Sequence, residues 1–178
     1  LTKPLEYYVS TAEGFDTLNI LDVFLNFHYD DRLQLKIGRY KTPFTYEFYN
    51  QPINGLITPE RSLFFNNFGL NRDLGIMAWG MLFEKKVDYA VGVFNGRRNS
   101  FIDNNNDKDL AAYINFKPFL ERKDAVFQHL NFGYSMCWGH EDLIPPVPNT
   151  FRTAVATTGN DIIGVPFMTI NPGVTEMG

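Results

Sequence analysis

Leu21-Asp22-Val23-Phe24-Leu25-Asn26-Phe27-His28-Tyr29, then Asp30-Asp31-Arg32, then Leu33-Gln34-Leu35-Lys36-Ile37-Gly38 is the stretch on which the reading of this chain turns. In the first run Leu21, Val23, Leu25, Phe27 and Tyr29 take one set of alternate positions, with Asp22, Phe24, Asn26 and His28 between them. In the second, Leu33, Leu35 and Ile37 alternate with Gln34, Lys36 and Gly38. Successive side chains of a strand point to opposite faces, so each run has one apolar and one largely polar face. Two such runs around a short polar segment predict a β-hairpin.

The pattern repeats outward from this hairpin. Leu74 to Leu82, a turn at Glu84-Lys85-Lys86, and Val87 to Asn95 predict a second hairpin, in which Val87, Tyr89, Val91 and Val93 oppose Asp88, Ala90 and Gly92. In a third, Leu110, Ala112, Ile114 and Phe116 oppose Ala111, Tyr113, Asn115 and Lys117. After a turn over 118–127 its return arm sets Leu130, Phe132, Tyr134, Met136 and Trp138 against Asn131, Gly133, Ser135 and Cys137. Residues 4–10 read as the tail of an earlier strand and 167–174 as a weak last one, interrupted by Pro172. Segments 42–71, 96–107 and 140–164 keep no strand period and read as loops; the first carries Pro43, Pro52, Gly55, Pro59 and Gly69.

The connections therefore run short, long, short, long, short, long. Strands of about ten residues joined in that rhythm are expected of an antiparallel transmembrane β-barrel, with short turns on one side and long loops on the other. Closure satisfies every backbone polar group in lipid, which an open sheet cannot do. The aromatic residues at strand ends (Tyr29, Tyr40, Phe83, Phe94, Phe116, Phe119, Phe127 and Trp138) predict two interfacial girdles. Alternation alone also suits a soluble β-sandwich or lipocalin-like barrel, whose apolar face points inward. The rhythm of the connections is what favours the membrane.

Composition agrees. Aromatic residues make up 16% of the 178, yet the mean hydropathy is only −0.21, as half-greasy strands require. The formal net charge of −4 argues against a nucleic-acid partner. One cysteine, Cys137, cannot make an internal disulfide. The opening Leu1-Thr2-Lys3-Pro4-Leu5-Glu6 has no signal-peptide character, and no apolar run is long enough for a transmembrane helix. The expectation is a single domain over 1–178, incomplete at both ends, beginning after a cleaved leader or inside a longer protein.

Several segments together resemble the phosphate-selective porin family. They are 20–29, the run Gly38-Arg39-Tyr40-Lys41-Thr42-Pro43-Phe44, then Pro59-Glu60-Arg61-Ser62, then Asn71-Arg72-Asp73-Leu74-Gly75, then Tyr89-Ala90-Val91-Gly92-Val93-Phe94-Asn95-Gly96. The similarity is good over about 16–117 and looser beyond. The resemblance implies a sixteen-stranded, usually trimeric outer-membrane channel for small solutes, often anions. With seven or eight strand segments, this chain would supply about half of such a barrel. It also implies a long outer loop folded into the channel, for which 42–71 is the best match.

A channel does no covalent chemistry; its selectivity comes from charges lining a narrow place. Lys41, Arg61 and Arg72 flank or sit in 42–71, where a guanidinium can hold an oxyanion with two hydrogen bonds and an ammonium can hold it as a point charge. Against this stands a purely structural role, with Glu60–Arg61 and Arg72–Asp73 pinning the loop to the wall. Lys36 and Lys117 fall on polar strand faces and are expected toward the lumen, where wall solubility alone would account for them. No dense basic ladder appears, and the net acidity speaks for a general porin with modest anion preference rather than strict phosphate specificity.

Other motifs point nowhere. Asp103-Asn104-Asn105-Asn106-Asp107-Lys108-Asp109 begins like a calcium loop but has Lys108 at the sixth position and Ile114 at the twelfth, so a solvated outer loop fits better. His28, His129 and His140 lack metal-ligand spacing. Gly133-Tyr134-Ser135-Met136-Cys137 breaks the nucleophile-elbow pattern, and no helix follows Gly92 and Gly96. No catalytic residue, metal or cofactor is expected. The partners expected are small ions, outer-membrane lipid of a Gram-negative-type bacterium, and two further copies in a homotrimer. The competing readings are a barrel hydrolase using Ser135 and His28, which have no visible triad partner, and a soluble β-sandwich binding module.

Overall fold

The computed structural model describes residues 4–14, 17–52, 55–56, 58, 61–96, 107–122, 126–139, 149–152 and 166–170. Seven strands form one antiparallel sheet in chain order: β1 (Leu5–Gly14), β2 (Thr17–Asp30), β3 (Leu33–Lys41), β4 (Arg72–Leu82), β5 (Val87–Phe94), β6 (Asp109–Phe116) and β7 (Phe132–Trp138). Each strand pairs with its sequence neighbour, so β1 and β7 are open edges among the described residues. Two further strands, β8 (Asn149–Arg152) and β9 (Pro166–Ile170), pair with each other. The predicted hairpins are all present, and the expected tail at 4–10 is a full strand paired with β2. The fold is all-β, an open antiparallel sheet of the kind that walls a partial barrel. No described helix is long and apolar enough to cross a membrane, which says nothing of strands.

Register turns the alternation into two faces. One lateral row reads Tyr7, Leu25, Ile37, Ile76, Val93, Leu110 and Trp138 across all seven strands. The next reads Leu5, Phe27, Leu35, Ala78, Val91, Ala112 and Met136. Most large residues of these rows are exposed, and no second sheet packs on them among the described residues. The opposite face carries Glu6, Asn26, His28, Gln34, Lys36, Asp88, Asn115 and Lys117. A β-sandwich would bury the apolar face between two layers; among the described residues the apolar face is bare and the polar face is covered.

The cover is segment 42–71. It contains two short helices, α1 (Tyr46–Tyr49) and α2 (Leu63–Phe68), neither of which its Pro-broken sequence predicts. Ser62 caps α2 by accepting from Phe65 N at 3.1 Å. Phe48 stacks on Phe65 at 4.6 Å, and this buried pair joins the two helices. The segment is tied to the sheet across its width. Thr42 Oγ1 donates to Asn71 O at 2.8 Å, Asn50 Nδ2 to Tyr113 Oη at 2.7 Å, and Thr45 N to Ser135 Oγ at 3.3 Å. Tyr49 and Leu70 pack onto the core formed by Tyr40, Met77, Ala90, Phe94, Ala111 and Tyr113.

Two expectations change. Tyr40 and Phe94 are not girdle residues: each is 2% exposed, and their rings meet edge-on at 5.8 Å beneath the loop. They share parity with Lys36 and Gly92 and so belong to the covered face. Of the other strand-end aromatics, Tyr29, Phe83, Phe116, Phe127 and Trp138 are exposed, Tyr29 at 81% and Trp138 at 72%, and Phe119 is half-buried. The segment 140–164 is not without a strand, since β8 lies inside it. The predicted calcium-like stretch lies outside the described residues up to 106.

Candidate functional site

Three of the five sequence-predicted cations come together around one ring. Phe48, at the buried side of α1, has Lys41 Nζ at 5.0 Å, Arg61 Cζ at 5.0 Å and Arg72 Cζ at 5.8 Å from its centroid. Lys41 closes β3, Arg72 opens β4, and the two are paired in register. Arg61 reaches the same ring from the loop because Phe48 and Phe65 stack, and its guanidinium lies 5.3 Å from Phe65 as well. A cation over an aromatic face gains from the ring quadrupole, and this offsets part of the repulsion between like charges.

Each cation also has a polar hold. Lys41 Nζ donates to Phe48 O at 3.2 Å. Arg61 Nη1 donates to Glu47 O, and the Glu47 carboxylate accepts from Ser62 N at 3.0 Å and from Ser62 Oγ. Burial pushes Arg61 below the ordinary arginine value while the Glu47 carboxylate acts against it; a guanidinium remains charged throughout. Arg72 Nε pairs with Asp22 Oδ1 at 3.1 Å, reaching across β3 to β2. The expected Arg72–Asp73 pin does not form. Asp73 points onto the covered face and accepts from Leu74 N and Gly96 N, both at 2.7 Å. Arg72, at the very start of β4, turns instead to Asp22 and the Phe48 ring. Glu60 lies outside the described residues.

Lys36 and Lys117 sit elsewhere on the covered face. Lys117 Nζ pairs with Asp88 at 2.7 Å, so its charge is compensated. The Lys36 ammonium stands among rings, 4.5 Å from Phe24, 4.9 Å from Trp79 and 5.4 Å from Tyr40. The register explains this. Lys36 is opposite Asn26 and Met77, which makes Phe24 and Trp79 its diagonal same-face neighbours. Tyr40 lies four positions along the same strand and donates from Oη to Lys36 O at 3.3 Å.

Sequence reasoning missed a third group. His28 Nδ1 is 3.2 Å from Glu6 Oε1 and its Nε2 is 2.9 Å from Asp31 Oδ1, at the short-turn end of the covered face. Glu6 is also the acceptor for Asn26 Nδ2 at 2.8 Å. The two carboxylates lie at opposite ring nitrogens, so they hold the imidazole between them and cannot converge on one ion. Ser135 accepts from the loop on β7, five strands away from His28 on β2, and the two form no pair.

Comparison with known proteins follows from this geometry. The profile described as phosphate-selective porin O and P matches residues 6–143. Searches of curated proteins and of solved structures return no match. The matched span contains the seven-stranded sheet from the second residue of β1 onward, the folded-in loop and the cations around Phe48. The family is one of channels rather than enzymes. On that match the chain belongs to the phosphate-selective porin O and P family.

Proposed function

We propose that this sheet is about half of the wall of an outer-membrane barrel, closed by further strands, through which small hydrophilic solutes diffuse passively with a modest preference for anions, phosphate among them. The observation that carries the reading is segment 42–71 lying on the polar face and drawing Lys41, Arg61 and Arg72 to within 6 Å of Phe48. In a closed barrel that face lines the water-filled interior and the bare apolar face meets lipid. A loop laid across the interior narrows it, and charge fixed at a narrow place biases which ions pass.

The roles divide by compensation. Lys41 is held through the carbonyl oxygen of Phe48, and Arg61 through that of Glu47 with the Glu47 carboxylate also acting on it; the two supply the positive charge of the constriction. Arg72 is partly neutralised by Asp22, and Lys117 by Asp88, so they act chiefly as wall. Lys36 lines the wall between the loop and the short-turn end. The setting is the outer membrane of a Gram-negative-type bacterium, with lipid against the bare face and a trimer of like chains, and the channel works without catalytic residues or a cofactor.

The test is the reversal potential of the complete barrel in a planar bilayer under a potassium chloride gradient. Arg61→Ala should move it toward potassium selectivity while single-channel steps persist. An unchanged reversal potential and conductance would reduce Arg61 to a loop staple and leave the constriction without its principal charge.

A further inference from the structure

We infer that Lys36 and its three rings form a second binding step, distinct from the cations at Phe48 and suited to small monocarboxylates with an aromatic or apolar body rather than to phosphate. This rests on the reading of the covered face as a channel interior.

The walls of the cage are fixed independently of Lys36's charge. Trp79 Nε1 donates to Asn26 Oδ1 at 3.0 Å, and Asn26 in turn donates to Gln34 Oε1 at 2.9 Å. Phe24 stacks on Tyr8 at 5.2 Å and meets Tyr40 edge-on at 5.9 Å. Preorganised rings cost little to order when a ligand arrives. Within the cage the ammonium has no ion-pair partner among the described residues. The two carboxylates that act on it from a distance are engaged elsewhere, Asp22 with Arg72 and Glu6 with Asn26 and His28.

Ligand chemistry follows from that environment. A phosphate dianion is strongly hydrated and is held best by several convergent N–H donors, as an arginine fork provides. Here one half-buried ammonium stands in an aromatic wall, so phosphate would lose hydration without finding enough donors. A monocarboxylate needs one cation for its charged end. Its apolar body can then pack against the edges of Trp79 and Phe24, where edge-to-face contact is favourable. Tyr8 is exposed beside Phe24 and extends the apolar surface toward the open interior.

The experiment measures block of chloride current through the complete barrel in planar bilayers by benzoate, acetate and inorganic phosphate. Benzoate should block at concentrations at least tenfold below acetate. Lys36→Met should raise the benzoate concentration for half-block at least tenfold, and Trp79→Leu several-fold, with the effect of phosphate unchanged in both. Equal block by benzoate and acetate in the unmodified protein would overturn the inference without recourse to any variant. So would a benzoate block indifferent to Lys36→Met. Absence of any single-channel steps would remove the channel reading itself, whereas an anion-preferring channel blind to benzoate removes only this step.

Discussion

Replacing Ile76 by arginine separates a lipid-facing from a water-facing apolar belt by magnitude. Ile76 stands in the row Leu25, Ile37, Ile76, Val93, Leu110, and it is 53% exposed. β4 runs 11 residues from Arg72 to Leu82. At about 3.4 Å per residue its ten intervals cover about 34 Å, and a tilt of about 40° reduces this to about 26 Å, the height of an outer-membrane apolar band. Ile76 is four residues in, about 10 Å deep by the same arithmetic and therefore close to the midplane. An arginine there costs about 2–4 kcal/mol if the face meets lipid, a shift of roughly 30- to 700-fold in the folding equilibrium. If the face met water, a half-exposed surface substitution would change stability by no more than about 0.5 kcal/mol. The assay is folding of the complete barrel into lipid vesicles from denaturant, with midpoints compared across variants. Leu82→Arg, on the same face at the turn end, supplies the depth control, because near an interface the cost falls to about 0–1 kcal/mol. Small and equal costs at both positions would refute the lipid assignment.

Two further substitutions test the loop and its charges. Asp22→Asn removes the carboxylate 3.1 Å from Arg72 and should shift the bilayer reversal potential toward anion selectivity. Because both side chains are mostly buried, it should also lower stability by about 1–3 kcal/mol in a denaturant titration. Asn50→Ala removes the 2.7 Å hydrogen bond that ties the loop to Tyr113, worth about 1 kcal/mol, and should appear as larger conductance and more open-channel noise; identical traces would mean the loop is held elsewhere.

The strands were legible because a period of two is imposed on every residue of a sheet with one wet face. Parity is equally legible: Tyr40, counted from Lys36, and Phe94, counted from Gly92, fall on the covered face, whereas their terminal positions alone suggest girdles. Helices α1 and α2, at four and six residues, are too short to show a periodic signal. They persist through the burial of Phe48 and Phe65, not through propensity. The cations Lys41, Arg61 and Arg72 could be grouped from the sequence because they bound or sit in one loop. The ring that gathers them could not, since nothing in a Pro-broken segment marks Phe48 as its centre. The cage around Lys36 needed the register of three strands, which alternation alone does not supply.

The charges behind the net −4 are segregated along the sheet. Glu6, Asp30, Asp31 and Glu84 gather at the short-turn end, where they line a cavity with His28, Arg32 and Lys85. Lys41, Arg61 and Arg72 stand at the other end of the sheet. β3 alone, nine residues from Leu33 to Lys41, separates the two groups by about 27 Å along the strand. The Debye length at physiological salt is about 8 Å, so the acids at the short-turn end are screened from the cations at Phe48 by some three such lengths. On the proposed channel reading, what an ion meets at Phe48 is set by the charges within a few ångströms: Lys41 on a carbonyl oxygen, Arg61 beside Glu47, and Arg72 shared with Asp22. Selectivity on this reading is a local property of the loop, and an acidic chain can carry an anion-preferring narrow point without contradiction.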